Sequence, residues 1–343
     1  MQLLIRADAS SQIGTGHIMR CLALAQAWQA EGGKVTFLLG MIAPRLENRL
    51  EAESYTVIHH EAILGSQEDS DLTIALAQEI KAETVVVDGY HFDSVYQKQL
   101  KQAGLHVLFI DDNGHTDRYY ADWVLNQNIY AHERLYPYKE TYTQLLLGTR
   151  YALLRKEFWP WREWHRETTS HPHKILVTLG GGDPDNVTLK VIQALQQIEV
   201  GILEVVVVVG ASNPHYGILQ EAIQASRHKV ELRQNVTNMP ELMAWADIAI
   251  AASGSTSWEL AFMGLPSLTI TIADNQKQIA AKLHQLNIVN HVGWFADIRI
   301  HLLNEAISHL LVSVERRQSM SDRGRRQVDG WGAKRVMDSL LIN

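Results

Sequence analysis

Lys174-Ile175-Leu176-Val177-Thr178-Leu179-Gly180-Gly181-Gly182-Asp183-Pro184-Asp185-Asn186 is the stretch that decides the fold. The apolar run Ile175–Leu179 stops on three glycines, and Asp183-Pro184 then supplies an N-cap and first-turn pair for a helix. This is how the first strand of a nucleotide-binding α/β unit reads, yet it occurs halfway along the chain. The same pattern has already run once upstream. Leu3-Leu4-Ile5 precedes a helical stripe of Ile18, Leu22, Ala25 and Trp28, and Val35–Leu39, Val85–Val87 and Val107–Ile110 follow. Downstream come Val205–Val209, Ile248–Ala251 and Leu268–Ile270. Short continuous apolar runs between amphipathic helices predict parallel sheets covered on both faces. The expectation is an α/β chain of two consecutive Rossmann-like domains with an interdomain cleft. Residues 1–155 form the first, 156–171 a linker and 172–330 the second, and a helix from Trp331 packs back on the first. The alternation blurs between residues 127 and 170, where Trp159-Pro160-Trp161-Arg162-Glu163-Trp164 carries no assignable role.

Length agrees, since 343 residues exceed one unit at about 150 residues per domain. Apolar residues at 46% suffice for two cores, and the net charge of -7 argues against a nucleic-acid partner. A small phosphate ligand stays open, because backbone amides bind it without a basic surface. One cysteine, Cys21, excludes an internal disulfide and a multi-thiolate metal site. Met1–Ile5 is too short for a signal peptide, and Val205–Val209 is far below a membrane span. A cytoplasmic protein, monomeric and without a membrane partner, is expected.

Ligands of such sheets sit beyond the carboxyl ends of the strands. The first such loop runs Asp8-Ala9-Ser10-Ser11-Gln12-Ile13-Gly14-Thr15-Gly16-His17-Ile18-Met19-Arg20. Met19 stands where a dinucleotide fingerprint needs Gly or Ala, and no Gly-Lys-Ser/Thr is present, so both nucleotide readings of this loop are weak. A catalytic turn fits better. His17 opens a helix, whose dipole favours the neutral imidazole that a general base needs. The competing reading is a partly buried helix-start residue without chemistry. Asp8 is a candidate second catalytic or orienting acid. Asp88-Gly89-Tyr90-His91 and Asp111-Asp112 end two further strands; the aspartate pair reads as a cap bounding the cleft rather than a metal site.

In the second half, Gly180–Gly182 let backbone amides approach a ligand. After Ile248–Ala251 comes Ala252-Ser253-Gly254-Ser255-Thr256-Ser257-Trp258-Glu259, a small-residue loop that opens into a helix and offers N–H groups and hydroxyls to an anion. Glu259 lies a turn inside, where it can accept from two ribose hydroxyls. Asn275-Gln276 offers amides at another helix start. Together these read as a nucleoside-diphosphate cradle.

These residues carry a family resemblance over the whole chain. Arg6-Ala7-Asp8 with Gly14-Thr15-Gly16-His17-Ile18-Met19-Arg20-Cys21-Leu22 resembles the amino-terminal signature of the UDP-2,4-diacetamido-2,4,6-trideoxy-β-L-altropyranose hydrolases of pseudaminic acid biosynthesis. Asp88-Gly89-Tyr90, Leu147-Gly148, Tyr151–Arg155, Gly180–Asp183, Ser253–Glu259 and Asn275-Gln276 extend the likeness. The carboxyl-terminal motif is shared with MurG-like GT-B glycosyltransferases. The resemblance implies a GT-B fold and a metal-independent, cofactor-free, inverting hydrolysis of a UDP-sugar at C1. His17 matches the catalytic histidine that activates water, and Tyr90 a tyrosine near the sugar. Ser10, Gly14, Thr15, Gly16, Arg20 and Asp88 are expected to contact substrate on the first domain. Gly180, Gly181, Gly182, Asp183, Ser253, Gly254, Ser255, Thr256, Ser257, Glu259, Asn275 and Gln276 are expected to do so on the second, with domain closure bringing His17 over the sugar. A GT-B glycosyltransferase is the alternative. A 2-epimerase-type enzyme and a non-enzymatic nucleotide-sugar binder follow it.

Overall fold

The apolar runs become strands because they can be buried on both faces of a parallel sheet. In the computed structural model, which describes residues 1–9, 15–42, 44–199, 201–210, 213–234 and 236–341, the chain divides into two units. The first comprises Met1–Lys156 and Gly330–Asn343, the second Glu157–Asp329.

The first unit holds a seven-stranded parallel sheet of β1 (Gln2–Ala7), β2 (Lys34–Leu39), β3 (Thr56–His59), β4 (Thr84–Asp88), β5 (His106–Ile110), β6 (Trp123–Asn126) and β7 (Gln144–Leu147). Their order is β3-β2-β1-β4-β5-β6-β7. The order reverses between β1 and β4, in register Ala7 against Asp88, so their carboxyl ends meet at the switch point where such sheets bind ligands. Helices α1 (Gly16–Ala30), α2 (Pro44–Ala52), α3 (Gln67–Glu79) and α4 (Ser94–Gln102) cover the sheet. Ser66 caps α3 through the Asp69 amide at 3.2 Å, and Asp93 caps α4 through the Tyr96 amide at 2.9 Å.

The second unit repeats the plan with six parallel strands: β8 (Lys174–Thr178), β9 (Glu204–Val209), β10 (Lys229–Gln234), β11 (Ile248–Ala252), β12 (Ser267–Thr271) and β13 (Val289–Trp294). The order β10-β9-β8-β11-β12-β13 is the dinucleotide-fold order, with its switch point between β8 and β11. Its helices are α5 (Val187–Gln196), α6 (Tyr216–Gln224), α7 (Met239–Trp245), α8 (Thr256–Phe262), α9 (Lys277–Gln285), α10 (Ile300–Val312) and α11 (Val314–Gln327).

Residues 156–171 are not a free linker. Lys156 is tied to the first unit, its amide donating to Gln26 at 2.7 Å. The rest packs on the second unit. Phe158 is fully buried against the Phe262 ring, and the Arg166 guanidinium donates to the carbonyls of Ala246 (2.6 Å), Met263 and Met243. Aromatic rings and a guanidinium that satisfies helix-end carbonyls give this stretch a packing role that its composition did not disclose. The final helix, α12 (Gly332–Leu341), belongs to the first unit, with Val336 and Met337 fully buried. A Cβ on Gly332 would fall 2.2 Å from the Ala152 carbonyl oxygen, so only glycine permits this approach. No helix among the described residues is long and apolar enough to cross a membrane.

Candidate active site

At the first switch point α1 begins just after β1, and β4 ends on Asp88. His17 and Arg20 lie one turn apart on α1 and therefore share a face. Both turn onto Asp88, which is fully buried. His17 Nδ1 lies 2.6 Å from Asp88 Oδ1, while Arg20 donates through Nε to Oδ2 and through Nη2 to Oδ1, each at 2.6 Å. Burial alone would raise the Asp88 carboxyl, but the Arg20 charge and the His17 contact overcome it and hold it far below the usual carboxylate range. An ionised carboxylate only accepts, so Nδ1 carries the hydrogen, and in the neutral imidazole the lone pair is then on Nε2. The 3.2 Å approach of Arg20 Nη2 to Nδ1 is then a contact between two donors that share Oδ1.

Arg20 also grips Asp112 at the end of β5, with Nη1 2.8 and 2.9 Å from its two oxygens. Burial opposes the Arg20 charge, yet Asp112 and Asp88 together raise its guanidinium well above its ordinary value. Asp112 further accepts from Tyr90 Oη at 2.9 Å and from Asn128 Nδ2 at 2.7 Å. Tyr90, 42% exposed, stands edge-on to the His17 ring at 5.0 Å between centroids. The structure thus brings His17, Arg20, Asp88 and Tyr90 together, with Thr15 and Gly16 half-buried at the start of α1. Ser10 and Gly14 lie outside the described residues.

Arg20 and Asp88, expected on the substrate, are buried and engaged with each other. Their place is behind His17, because the face of α1 that carries His17 also carries Arg20. Asp8, the candidate second catalytic or orienting acid, is also buried. Only 1% exposed, it accepts from Arg6 Nη1 and from the Gly40 amide, both at 2.7 Å. Arg6, itself fully buried, donates with Nε and Nη2 to Asp69 at 2.9 Å each. Asp8 therefore anchors strand ends around a buried cation.

The sequence reading set Asp111 and Asp112 down as caps bounding the cleft. Neighbouring residues project oppositely, and the two part here. Asp111 caps the following turn through the amides of Asn113 (2.8 Å) and Gly114 (3.0 Å), while Asp112 joins Arg20. Asp112 and Asn128 were missed as site residues; the one signal available was their place just beyond adjacent strands, β5 and β6.

In the second unit, Gly180 (φ +90) and Gly182 border open space. A Cβ on Gly210 would fall 1.8 Å from the Gly181 carbonyl oxygen, so the loops after β8 and β9 touch backbone to backbone. Asp183, expected on the substrate, is instead committed to α5. Its own φ of +42 folds the loop back, and its carboxylate accepts from the amides of Val187 (2.9 Å) and Thr188 (2.8 Å) and from the Thr188 hydroxyl (2.6 Å). Across the switch point, the buried hydroxyls of Ser253, Ser257 and Thr269 have no hydrogen-bond partner among the described residues. Buried polar atoms are rarely left so. Ser255 is exposed, with Gly254, Thr256 and Glu259 half-buried beside it. Gln276 accepts from the Ile272 amide at 3.0 Å, and its Nε2 lies 3.5 Å from where a Gly254 Cβ would be, which sets the Asn275-Gln276 turn against the serine loop. Among the described residues no group of three or more His, Cys, Asp or Glu is placed to hold a metal ion.

Comparison with known proteins agrees with this architecture. Residues 175–331 match the glycosyltransferase family 28 C-terminal domain. The chain is 27% identical over 345 residues to the spore coat polysaccharide biosynthesis protein SpsG of Bacillus subtilis, covering 98% of this chain and 96% of that one. It is 27% identical over 288 residues to the UDP-2,4-diacetamido-2,4,6-trideoxy-beta-L-altropyranose hydrolase of Campylobacter jejuni, covering 82% and 96%. An uncharacterized protein of Methanocaldococcus jannaschii is 24% identical over 81% of the chain, which spans only 57% of that relative's length. Among solved structures, MurG of Acinetobacter baumannii superposes with a TM-score of 0.72 over 98% of both chains at 17% identity. The UDP co-structure of Staphylococcus aureus MnaA does so at 0.62 over 99% of this chain and 95% of that one, at 12% identity. The fold is therefore the two-Rossmann-unit GT-B fold, with the second unit matching the glycosyltransferase family 28 C-terminal domain model and the chain similar to UDP-2,4-diacetamido-2,4,6-trideoxy-β-L-altropyranose hydrolase.

Proposed function

We propose that the chain hydrolyses a UDP-linked 2,4-diacetamido-2,4,6-trideoxy sugar at C1 with inversion and without a metal, releasing UDP and the free sugar for pseudaminic acid biosynthesis. The observation that carries this is the His17–Asp88 pair at 2.6 Å, which directs the lone pair of Nε2 away from the carboxylate. His17 Nε2 takes a proton from water as the water oxygen bonds to C1. The C1–O bond breaks, and its electrons leave on the β-phosphate of UDP. UDP leaves readily where its charge is met by backbone amides, a role assigned here to Gly180–Gly182 and Gly254–Thr256. The orphaned hydroxyls of Ser253 and Ser257 support a polar ligand there, and Glu259 is assigned to the ribose. Tyr90, Thr15 and Gly16 are assigned to the sugar side, Asn275 and Gln276 to the nucleotide side.

A second reading is supported by the family 28 domain and the MurG fold: glycosyl transfer, with His17 activating an acceptor hydroxyl instead of water. Incubation of the UDP-sugar with the protein alone decides between them. Release of UDP without acceptor, with the opposite anomer detected first by NMR, supports hydrolysis. UDP release that waits for an added acceptor supports transfer.

A further inference from the structure

We infer that Asp112, which need not touch the substrate, is a positioning residue whose negative charge lets His17 accept a proton inside a buried cluster. The inference rests on the base assigned to His17 above. Asp88 is fully buried, while Arg20 and His17 are 8% and 7% exposed and Asp112 is 9%. Arg20 binds both carboxylates bidentately, through Nε and Nη2 to Asp88 and through Nη1 to the two oxygens of Asp112. Its single positive charge is therefore shared between two negative ones.

With neutral imidazole, the set of Asp88, Asp112 and Arg20 carries one net negative charge. Once His17 has taken a proton, the set with His17 is neutral. Without Asp112 the same step would run from neutral to one uncompensated positive charge, and uncompensated charge in a buried site is costly. Tyr90 Oη and Asn128 Nδ2 are neutral donors to Asp112 that fix its direction, and nearby His115 is paired with Asp111 at 3.1 Å, so these groups leave the count unchanged. The Tyr90 bond also ties the ring beside His17 to the same carboxylate. Asp112 thus acts through Arg20, at one remove from the base.

The test compares three variants by turnover of UDP-2,4-diacetamido-2,4,6-trideoxy-β-L-altropyranose, with UDP affinity measured by calorimetry. Asp112→Asn keeps the shape and loses the charge, so kcat should fall about 10–100-fold, as expected for one unit charge at close range in a site of intermediate dielectric. KM and UDP affinity should stay within about twofold, because no substrate contact is removed. Asp112→Glu keeps the charge and should remain within about tenfold of wild type. The paired variant Arg20→Gln/Asp112→Asn restores the net charge of minus one and should turn over faster than Asp112→Asn alone, although it has lost more hydrogen bonds. A purely structural Asp112 gives the opposite order, with the double variant slowest. That order, or wild-type kcat in Asp112→Asn, or a rise in KM at unchanged kcat, overturns the inference.

Should Asp112→Asn fail to fold, the two charge-conserving variants carry the test, and a folded one more than about a hundredfold slow overturns it. His17→Ala, run in parallel, separates the failures. Turnover retained there removes the base itself. UDP release that needs an acceptor removes hydrolysis, while the variant ratios measured with acceptor still decide Asp112.

Discussion

His17 sits in the first turn of a helix whose N-cap residue, Thr15, makes no side-chain capping bond among the described residues, and its ring is held by a carboxylate that nothing in the neighbouring sequence announces. General-base catalysis contributes typically 10²–10⁴-fold, so His17→Ala should lower kcat by roughly that factor. His17→Asn, which keeps a hydrogen bond but takes no proton, should be nearly as slow. Steady-state kinetics on folded variants checks both, and near wild-type turnover in either would make His17 structural. Glu259, assigned to the ribose, should weaken UDP binding by about 1–3 kcal/mol on replacement by alanine, the usual cost of losing a charged acceptor. Unchanged affinity by calorimetry would remove it from the site. His17 was legible because glycines and a strand end flank it. Asp112 was not, because its role comes from Arg20, which lies 92 positions away in sequence and meets it only through the parallel pairing of β1, β4 and β5.

At the scale of elements, the strands with uninterrupted Val, Ile and Leu were legible, and the weaker β3, β6, β7, β10 and β13 were not. β10 is a sheet edge with alternating half-exposed residues, and β6 and β7 are four residues each, too short for a periodicity to show. The link between β1 and α3 was equally hidden. Arg6 and Asp69 form a fully buried pair, which Tyr96 Oη joins at 3.0 Å. Burial raises the Asp69 carboxyl, but its bonds to Arg6 outweigh this and hold it below its ordinary value. Such a group stabilises the fold fully above the unfolded carboxyl range and loses that contribution as pH falls through its depressed value. Asp69→Asn should therefore cost about 1–3 kcal/mol at pH 7, the usual penalty for losing a charged hydrogen bond in a buried site, since Asp8 still pairs with Arg6. The gap to wild type should hold down to about pH 5 and narrow below about pH 4. Urea midpoints at pH 7, 5 and 3 check this; a gap that widens in acid would contradict it.

At the scale of the molecule, the sequence announced two Rossmann-like units, because the strand pattern visibly restarts at Ile175. The path of residues 157–171 was less legible, since tryptophans and arginines read alike in a linker and in a packed strap. α12 gives a prediction of its own. Val336 is fully buried within the first unit, and Val336→Asp should cost about 3–5 kcal/mol there through cavity and buried charge. UDP affinity, assigned to the second unit, should stay within about twofold of wild type. Calorimetric unfolding paired with titration checks both, and a matching loss of UDP affinity would show that α12 serves the nucleotide site.

That same helix sets an order on biosynthesis. The first unit's sheet is complete by Leu147, yet α12 follows only after residues 157–329 have been made. At about 5–20 residues per second, translation of that insert takes roughly 9–35 s. For that interval the nascent amino-terminal half presents to the cell an uncovered apolar seam beside α1, and the second unit, encoded later, is whole before the first is closed.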